Sequence, residues 1–258
     1  MAFIFELSVY VSFMTFAVLG IGIYYVGRLA LHILSNHAKH DILSIPIGAF
    51  VSTIATAWAL SLGFVAADIW TANGKADQAT SEERSSISRL IGSASPDILN
   101  APELAATLVE YRSAVVKDEW LGNSNVLPAH AVEVALQNIR REIVNLAKTD
   151  IPTPIISQLV HDFDELQDAR NTRLSVGSTS VDMYKWYLLF FLTILTIITI
   201  ASTHADRVRA GVKAMIIYSI TAAFCLWILA IHANPYQGIE RLEPSLLFTS
   251  QKHGTPAT

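Results

Sequence analysis

The sequence predicts an all-α membrane protein, with four transmembrane helices and a helical soluble insert between the second and the third. Four runs free of charge predict the spans, and the longest, Ile42 to Ala67, holds 26 residues without an Asp, Glu, Lys or Arg. A helix needs about 20 apolar residues to cross the hydrocarbon core of a bilayer. Charge is confined as well. Only 16% of the 258 residues are charged, and most of that charge lies between Asp68 and Lys185. Soluble domains carry about a quarter. Within that charged middle, apolar residues recur at helical spacing and the alternation of strands is absent. The chain divides on this reading into a first transmembrane hairpin (1–69), the insert (70–184), a second hairpin (185–234) and a C-terminal tail (235–258).

The first span runs from Leu7 to Gly27, 21 residues without charge. Only MAFIFE precedes it, with no basic n-region and no small-residue cleavage site, so the run is a retained helix and not a secretory signal. Tyr24 and Tyr25 stand where aromatic rings favour the headgroup layer, and Arg28 follows. The link to the second span carries His32, His37, Lys39 and His40. No cysteine or carboxylate pair completes a metal site there, and a basic turn at the membrane surface accounts for it.

In the second span the small and hydroxylated residues Gly48, Ser52, Thr56, Ala59, Gly63 and Ala67 recur at spacings of three and four. That puts them on one helical face, with Ile54, Trp58, Leu62 and Val65 mostly elsewhere. Such a face lets another helix approach closely, or it lines a narrow wet path. Packing is the commoner use.

The insert starts as a continuation of the second span, with Asn73-Gly74 as an expected bend. Further helices are expected from Ala101 to Trp120, with Pro102 in the first turn, from Ala129 to Lys148, and from Ile155 to Val176. Between Thr71 and Tyr184 there are 16 acidic and 10 basic residues, a net charge of −6. The densest acidic cluster holds Asp162, Asp164, Glu165 and Asp168. Hard oxygen ligands suit calcium, but the cluster lacks the glycine and spacing of an EF-hand loop, so a solvated acidic face is the expectation. Arg170 and Arg173, one turn apart, could pair with Asp118 or Glu119. Such a tie would be structural, and worth little if exposed.

Trp186 to Thr203 and Ala214 to Ala233 form the second hairpin. Thr193, Thr196 and Thr199 sit comfortably in lipid if each hydroxyl bonds back to the preceding turn. The intervening turn holds Arg207, Arg209 and Lys213, and Asn234-Pro235 stops the last helix. The polar end of the tail is expected to be disordered.

Composition and motifs exclude several functions. A net charge of −4 and a pI near 6.0 argue against nucleic acid as a partner. The single cysteine, Cys225, permits no intrachain disulfide. There is no G-x-S-x-G, no H-E-x-x-H, no Cys-x-x-Cys and no phosphate-cradling glycine loop. The reading is a non-enzyme without a cofactor.

Four groups of residues carry a resemblance: Trp70 leading into Glu82 and Glu83; Tyr111 with Lys117-Asp118-Glu119-Trp120; Asp168 to Leu174; and Asn234-Pro235-Tyr236-Gln237-Gly238 with Pro244 beyond. In this order and at these separations they resemble the bacterial bestrophin-like membrane proteins over Ile42 to Phe248. The resemblance implies kinship with bestrophins, oligomeric anion channels whose second span lines a pore with a hydrophobic neck. It does not carry that neck onto the second span here, whose regular face is small and polar.

Two functions fit. The first is a homo-oligomeric channel for inorganic ions, with second spans around a central axis, because one four-span subunit has no room for a conduit. Intramembrane charges of the kind that mark pumps are missing, which favours a passive path. The second is a non-conducting scaffold or sensor whose acidic insert binds a partner. The lipid bilayer is a partner in both, and the resemblance implies a bacterial inner membrane. Four crossings put the insert and both termini on one side. Arg28, Lys39, Arg207, Arg209 and Lys213 in the links favour the periplasm for that side, against Lys75, Arg84, Arg170, Arg173 and Arg241 near other span ends.

Overall fold

The computed structural model describes residues 8–38, 48–178, 183–238 and 241–248. Every regular element among them is helical: α1 Val9–Ala38, α2 Gly48–Ser93, α3 Pro102–Ala114 continued by a π-helical turn Val115–Leu121, α4 His130–Leu146, α5 Thr153–Ser178, α6 Met183–Thr203, α7 Val208–Ile231, and a 3-10 turn Pro244–Leu247. Four of the helical segments are long and apolar enough to cross a membrane; they contain α1, α2, α6 and α7. The first helix outlasts its predicted span, passing through Arg28 and His32 to Ala38. That leaves only the end of the expected basic turn between the spans; Lys39, His40 and Asp41 lie outside the described residues, as does the polar end of the tail. Asn73-Gly74 does not break α2, which continues to Ser93. One internal glycine costs a helix only about 1 kcal/mol, and the buried Ala76, Ala79, Ile87 and Leu90 beyond it hold the helical course.

The described chain divides into two compact units. Among the described residues the first comprises 8–38, 48–71, 183–233 and Gly238. Trp58, Val65 and Ile69 of α2 pack there with Trp186 and Leu189 of α6 and with Leu226 of α7. Small residues bring α1 against its neighbours: a methyl added at Gly20 would stand 2.8 Å from Ala223 Cβ, and one at Gly27 would stand 2.7 Å from Met215 Sδ. Thr193, Thr196 and Thr199 each donate to the carbonyl four residues earlier at 2.7 Å, so these hydroxyls are satisfied without water, as predicted.

The second unit comprises 72–178 with 234–237 and 241–248. Its core joins the second half of α2 to α3, α4 and α5, with Leu104, Leu108, Tyr111, Val132, Ile139 and Leu166 all fully buried. Each large aliphatic residue so placed contributes roughly 1.5–3 kcal/mol. The segment set apart in the sequence as a tail belongs partly to this core, because Tyr236 and Leu247 are buried in it. Leu242 N–H donates to Pro235 O at 2.8 Å, and Trp120 Nε1–H donates to Leu242 O at 3.1 Å.

Candidate functional site

Two arrangements stand out, one in each unit. In the first, the six small residues of α2 all point away from the protein. Gly48, Ser52, Thr56, Ala59, Gly63 and Ala67 are exposed, and a methyl added at Gly48 or Gly63 would meet nothing within 4 Å. The residues turned inward are Trp58, Val65 and Ile69, with Ile54 and Leu62 half-buried. Trp58 fixes this rotation of the helix. Its Nε1–H donates to Thr193 Oγ1 at 2.9 Å, and its ring meets Tyr218 edge-on at 5.5 Å. Asp68 pairs with Lys185 at the end of the apolar stretch. Among the described residues, then, no other part of the chain covers the small face, whereas Gly20 and Gly27 of α1 make close contacts with their neighbours.

In the second unit, two buried guanidinium groups meet two buried carboxylates. Arg173 Nε donates to Glu83 Oε2 at 2.6 Å, and its Nη2 donates to Glu83 Oε1 at 3.1 Å and to Glu119 Oε2 at 2.9 Å. Its Nη1 reaches Asn125 Oδ1, and the guanidinium lies 5.4 Å from the centre of the Trp120 ring. Arg170 binds Glu119 through Nε at 3.1 Å and half-exposed Glu133 through Nη1 at 2.8 Å. Tyr111 donates its hydroxyl to Glu83 Oε1 at 2.6 Å. Glu119 also accepts the Ala129 N–H at 3.1 Å, which satisfies the entry to α4. Glu83, Glu119 and Arg173 are fully buried, so the tie between Arg170, Arg173 and Glu119 is not the exposed pair of low value. Asp118 takes no part in these pairs.

The four groups of residues that carried the resemblance thus converge on one place: Glu83, then Tyr111 with Glu119 and Trp120, then Arg170 with Arg173, then Tyr236 stacked edge-on against Trp120 at 5.5 Å. The family model for the bestrophin-like domain matches residues 14–247. The chain belongs to the bestrophin-like family. Its fold is shared with crystal structures of a bacterial bestrophin homologue from Klebsiella pneumoniae. One point variant of that homologue superposes with a TM-score of 0.68 at 14% identity, covering 88% of this chain and 96% of that one. Two others give 0.70 at 13% identity, covering 88% and 94%, and 0.69 at 14%, covering 90% and 94%. No curated protein matches the sequence.

In this bestrophin-like chain the buried network has a definite response to alkali. Burial, followed by the charge of Glu83, raises the Tyr111 pKa well above its usual value, and burial raises that of Tyr236. Burial disfavours the Arg173 charge, but Glu83, Tyr111 and Glu119 outweigh it and raise the pKa, so the guanidinium stays charged. In the unfolded chain a tyrosine ionises near pH 10. Above that pH the unfolded state binds fewer protons than the folded state, so stability present in full below pH ~10 is lost as pH rises. The expected loss is about 1.4 kcal/mol per pH unit for each of the two phenols. Thermal melts of the whole protein between pH 9 and 11.5 should show it, and Tyr111→Phe should make the slope shallower. An unchanged slope in that variant would refute the assignment.

Two of the four acids in the cluster pair with one cation from the chain itself, Arg89. Asp162 is buried and accepts from Arg89 Nε at 2.7 Å and from Gln158 Nε2 at 3.1 Å. Glu165 pairs with Arg89 and, at 3.2 Å, with His161. Asp164 and Asp168 are exposed. Asp162 therefore departs from the expected solvated face, because Arg89 on α2 reaches it. Among the described residues no group of three or more His, Cys, Asp or Glu is placed to hold a metal ion.

Proposed function

We propose that this chain forms a homo-oligomeric ion channel in the bacterial inner membrane, with α2 lining the path. The observation that carries the reading is the exposure of all six small residues, Gly48, Ser52, Thr56, Ala59, Gly63 and Ala67, while Trp58 anchors the opposite side of the helix. A face of two glycines, two alanines and two hydroxyls removes little room from a conduit and offers hydroxyls to a hydrated ion. It is left open by its own subunit, so other copies around a closed symmetric ring supply the remaining walls. The residues that link α2 to α6 and α7 are uncharged apart from Asp68 and Lys185, which fits a passive path.

The test is ion flux from liposomes containing the purified protein, measured beside Ala59→Phe. Wild-type protein should release an entrapped salt gradient. Ala59→Phe, which adds a ring to an exposed position and disturbs no packing within the subunit, should assemble normally and suppress the flux. Assembled wild-type protein that passes no ion would end the channel reading and leave a membrane scaffold. Equal flux in both proteins would move the path away from this face.

A further inference from the structure

A groove of about 340 Å³ runs between α1 and α7 in the first unit, on helices separate from the α2 face. Its walls include Phe16, Gly20 and Tyr24 on α1 and Ser219, Ala223 and Trp227 on α7. That volume lies within the range of ordinary ligand sites, which are mostly apolar with few polar groups. The two helices run antiparallel in a fixed register: Gly20 abuts Ala223, Gly27 abuts Met215, and Leu31 lies beside Gly211. One turn beyond Tyr24 on α1 comes Arg28, and one turn before Ile216 on α7 comes Lys213. Positions separated by three or four residues share a helical face, so the groove runs toward a level flanked by these two cations.

Arg28 and Lys213 are exposed. Among the described residues no carboxylate pairs with either of them or with Arg209, and Asp206, the acid nearest to Arg209 and Lys213 in sequence, is held by Arg207 at 3.0 Å. The apolar wall also contains a polar exception. Ser219 is 4% exposed, and its hydroxyl has no hydrogen-bond partner, whereas Thr221 two residues on returns its own to Ile217 O at 3.0 Å. An apolar slot, a hydroxyl in its wall without a partner among the described residues, and two cations beyond its end that no described carboxylate meets match the parts of one kind of molecule.

We propose that the groove holds an acyl chain of an anionic phospholipid, with the lipid phosphate at Arg28 and Lys213. A zwitterionic lipid offers the same chain with its phosphate charge already offset, and a free anion offers no chain. The site is independent of the α2 path and stands or falls separately from it.

Trp227 gives the readout. The whole protein is reconstituted in phosphatidylcholine vesicles, and phosphatidylglycerol or phosphatidylcholine with brominated acyl chains is added as a minor component. Quenching of Trp227 is taken as the difference from Trp227→Phe. Phosphatidylglycerol should quench at several-fold lower mole fraction than phosphatidylcholine. Arg28→Ala and Lys213→Ala should each reduce that preference by about five-fold or to none, the worth of one basic residue at a membrane surface. Ala17→Phe, which fills the groove, should reduce quenching by both lipids, and excess inorganic phosphate should change nothing. Equal quenching by the two lipids in the unmodified protein would overturn the proposal, and this comparison needs no variant to fold. So would a preference that survives loss of both cations, or one abolished by inorganic phosphate. Loss of assembly in Ala17→Phe with quenching intact would assign the groove to a second copy of the chain instead.

Discussion

Replacing Arg173 with leucine should cost the protein about 3–5 kcal/mol, the usual penalty for breaking a buried ion pair from one side. Arg173 is fully buried and donates to Glu83, Glu119 and Asn125. Its removal leaves two buried carboxylates facing the single charge of Arg170. Total stabilities of domains are only about 5–15 kcal/mol, so the loss is large on that scale. Lysine is no remedy, since one ammonium cannot reproduce the planar fork that serves three acceptors. Removing both charges is gentler, because a buried pair replaced by apolar groups of similar size is often nearly neutral. Arg173→Met with Glu83→Gln should therefore lose less than the sum of the two single variants. Denaturant midpoints for the four proteins of this cycle, measured on the whole chain in detergent, decide it. Simple additivity would mean that the two groups do not interact.

Gly177→Ala should destabilise the same unit by about 1–3 kcal/mol, although helix propensity alone favours alanine by about 1 kcal/mol. Gly177 lies in the last turn of α5, and a methyl there would stand 2.1 Å from the carbonyl oxygen of Asn125 and 2.7 Å from its carbon. That backbone cannot easily yield. Asn125 donates its N–H to Glu119 O at 2.7 Å, accepts from Arg173 Nη1 through Oδ1 and holds a φ of 59°, a left-handed conformation that asparagine tolerates better than most residues. The steric term thus exceeds the propensity term and sets the sign. A thermal midpoint at or above that of the unmodified protein would show that the loop shifts without cost.

The contrast between these two sites shows what the sequence could reveal. Spans are written in charge-free runs because lipid tolerates little else, so the four membrane-length segments are legible in the sequence. Burial of polar groups is written nowhere so directly. Arg170 and Arg173 were visible as two cations on one helical face, and Asp118 and Glu119 as equal candidates for them. An α-helical period from Val115 would put Asp118 and Glu119, three and four residues on, at the two edges of the inner face. The π-helical turn Val115–Leu121 widens the coil there, and Glu119 and Trp120 are the pair that is buried. A widened turn carries no clear residue signature, which is why the choice could not be made from spacing. Glu83 is 90 residues from Arg173, and only tertiary folding could pair them. The outward rotation of α2 was equally hidden, because the same small-residue stripe suits a packing seam. It is the Trp58 to Thr193 hydrogen bond that fixes which side faces in.

The measurement closest to the central claim is thiol accessibility along α2, in protein carrying Cys225→Ala and shown to be assembled. Only a wetted thiol ionises readily enough to react. If the small face of α2 borders a water-filled path, cysteine at Ser52 or Thr56 reacts with a small water-soluble thiol reagent and the modification alters ion flux, while cysteine at Ile54 stays inert. If the face is instead a dry seam between copies, cysteines at Ser52 and Thr56 both remain unreactive, and that result would contradict the account.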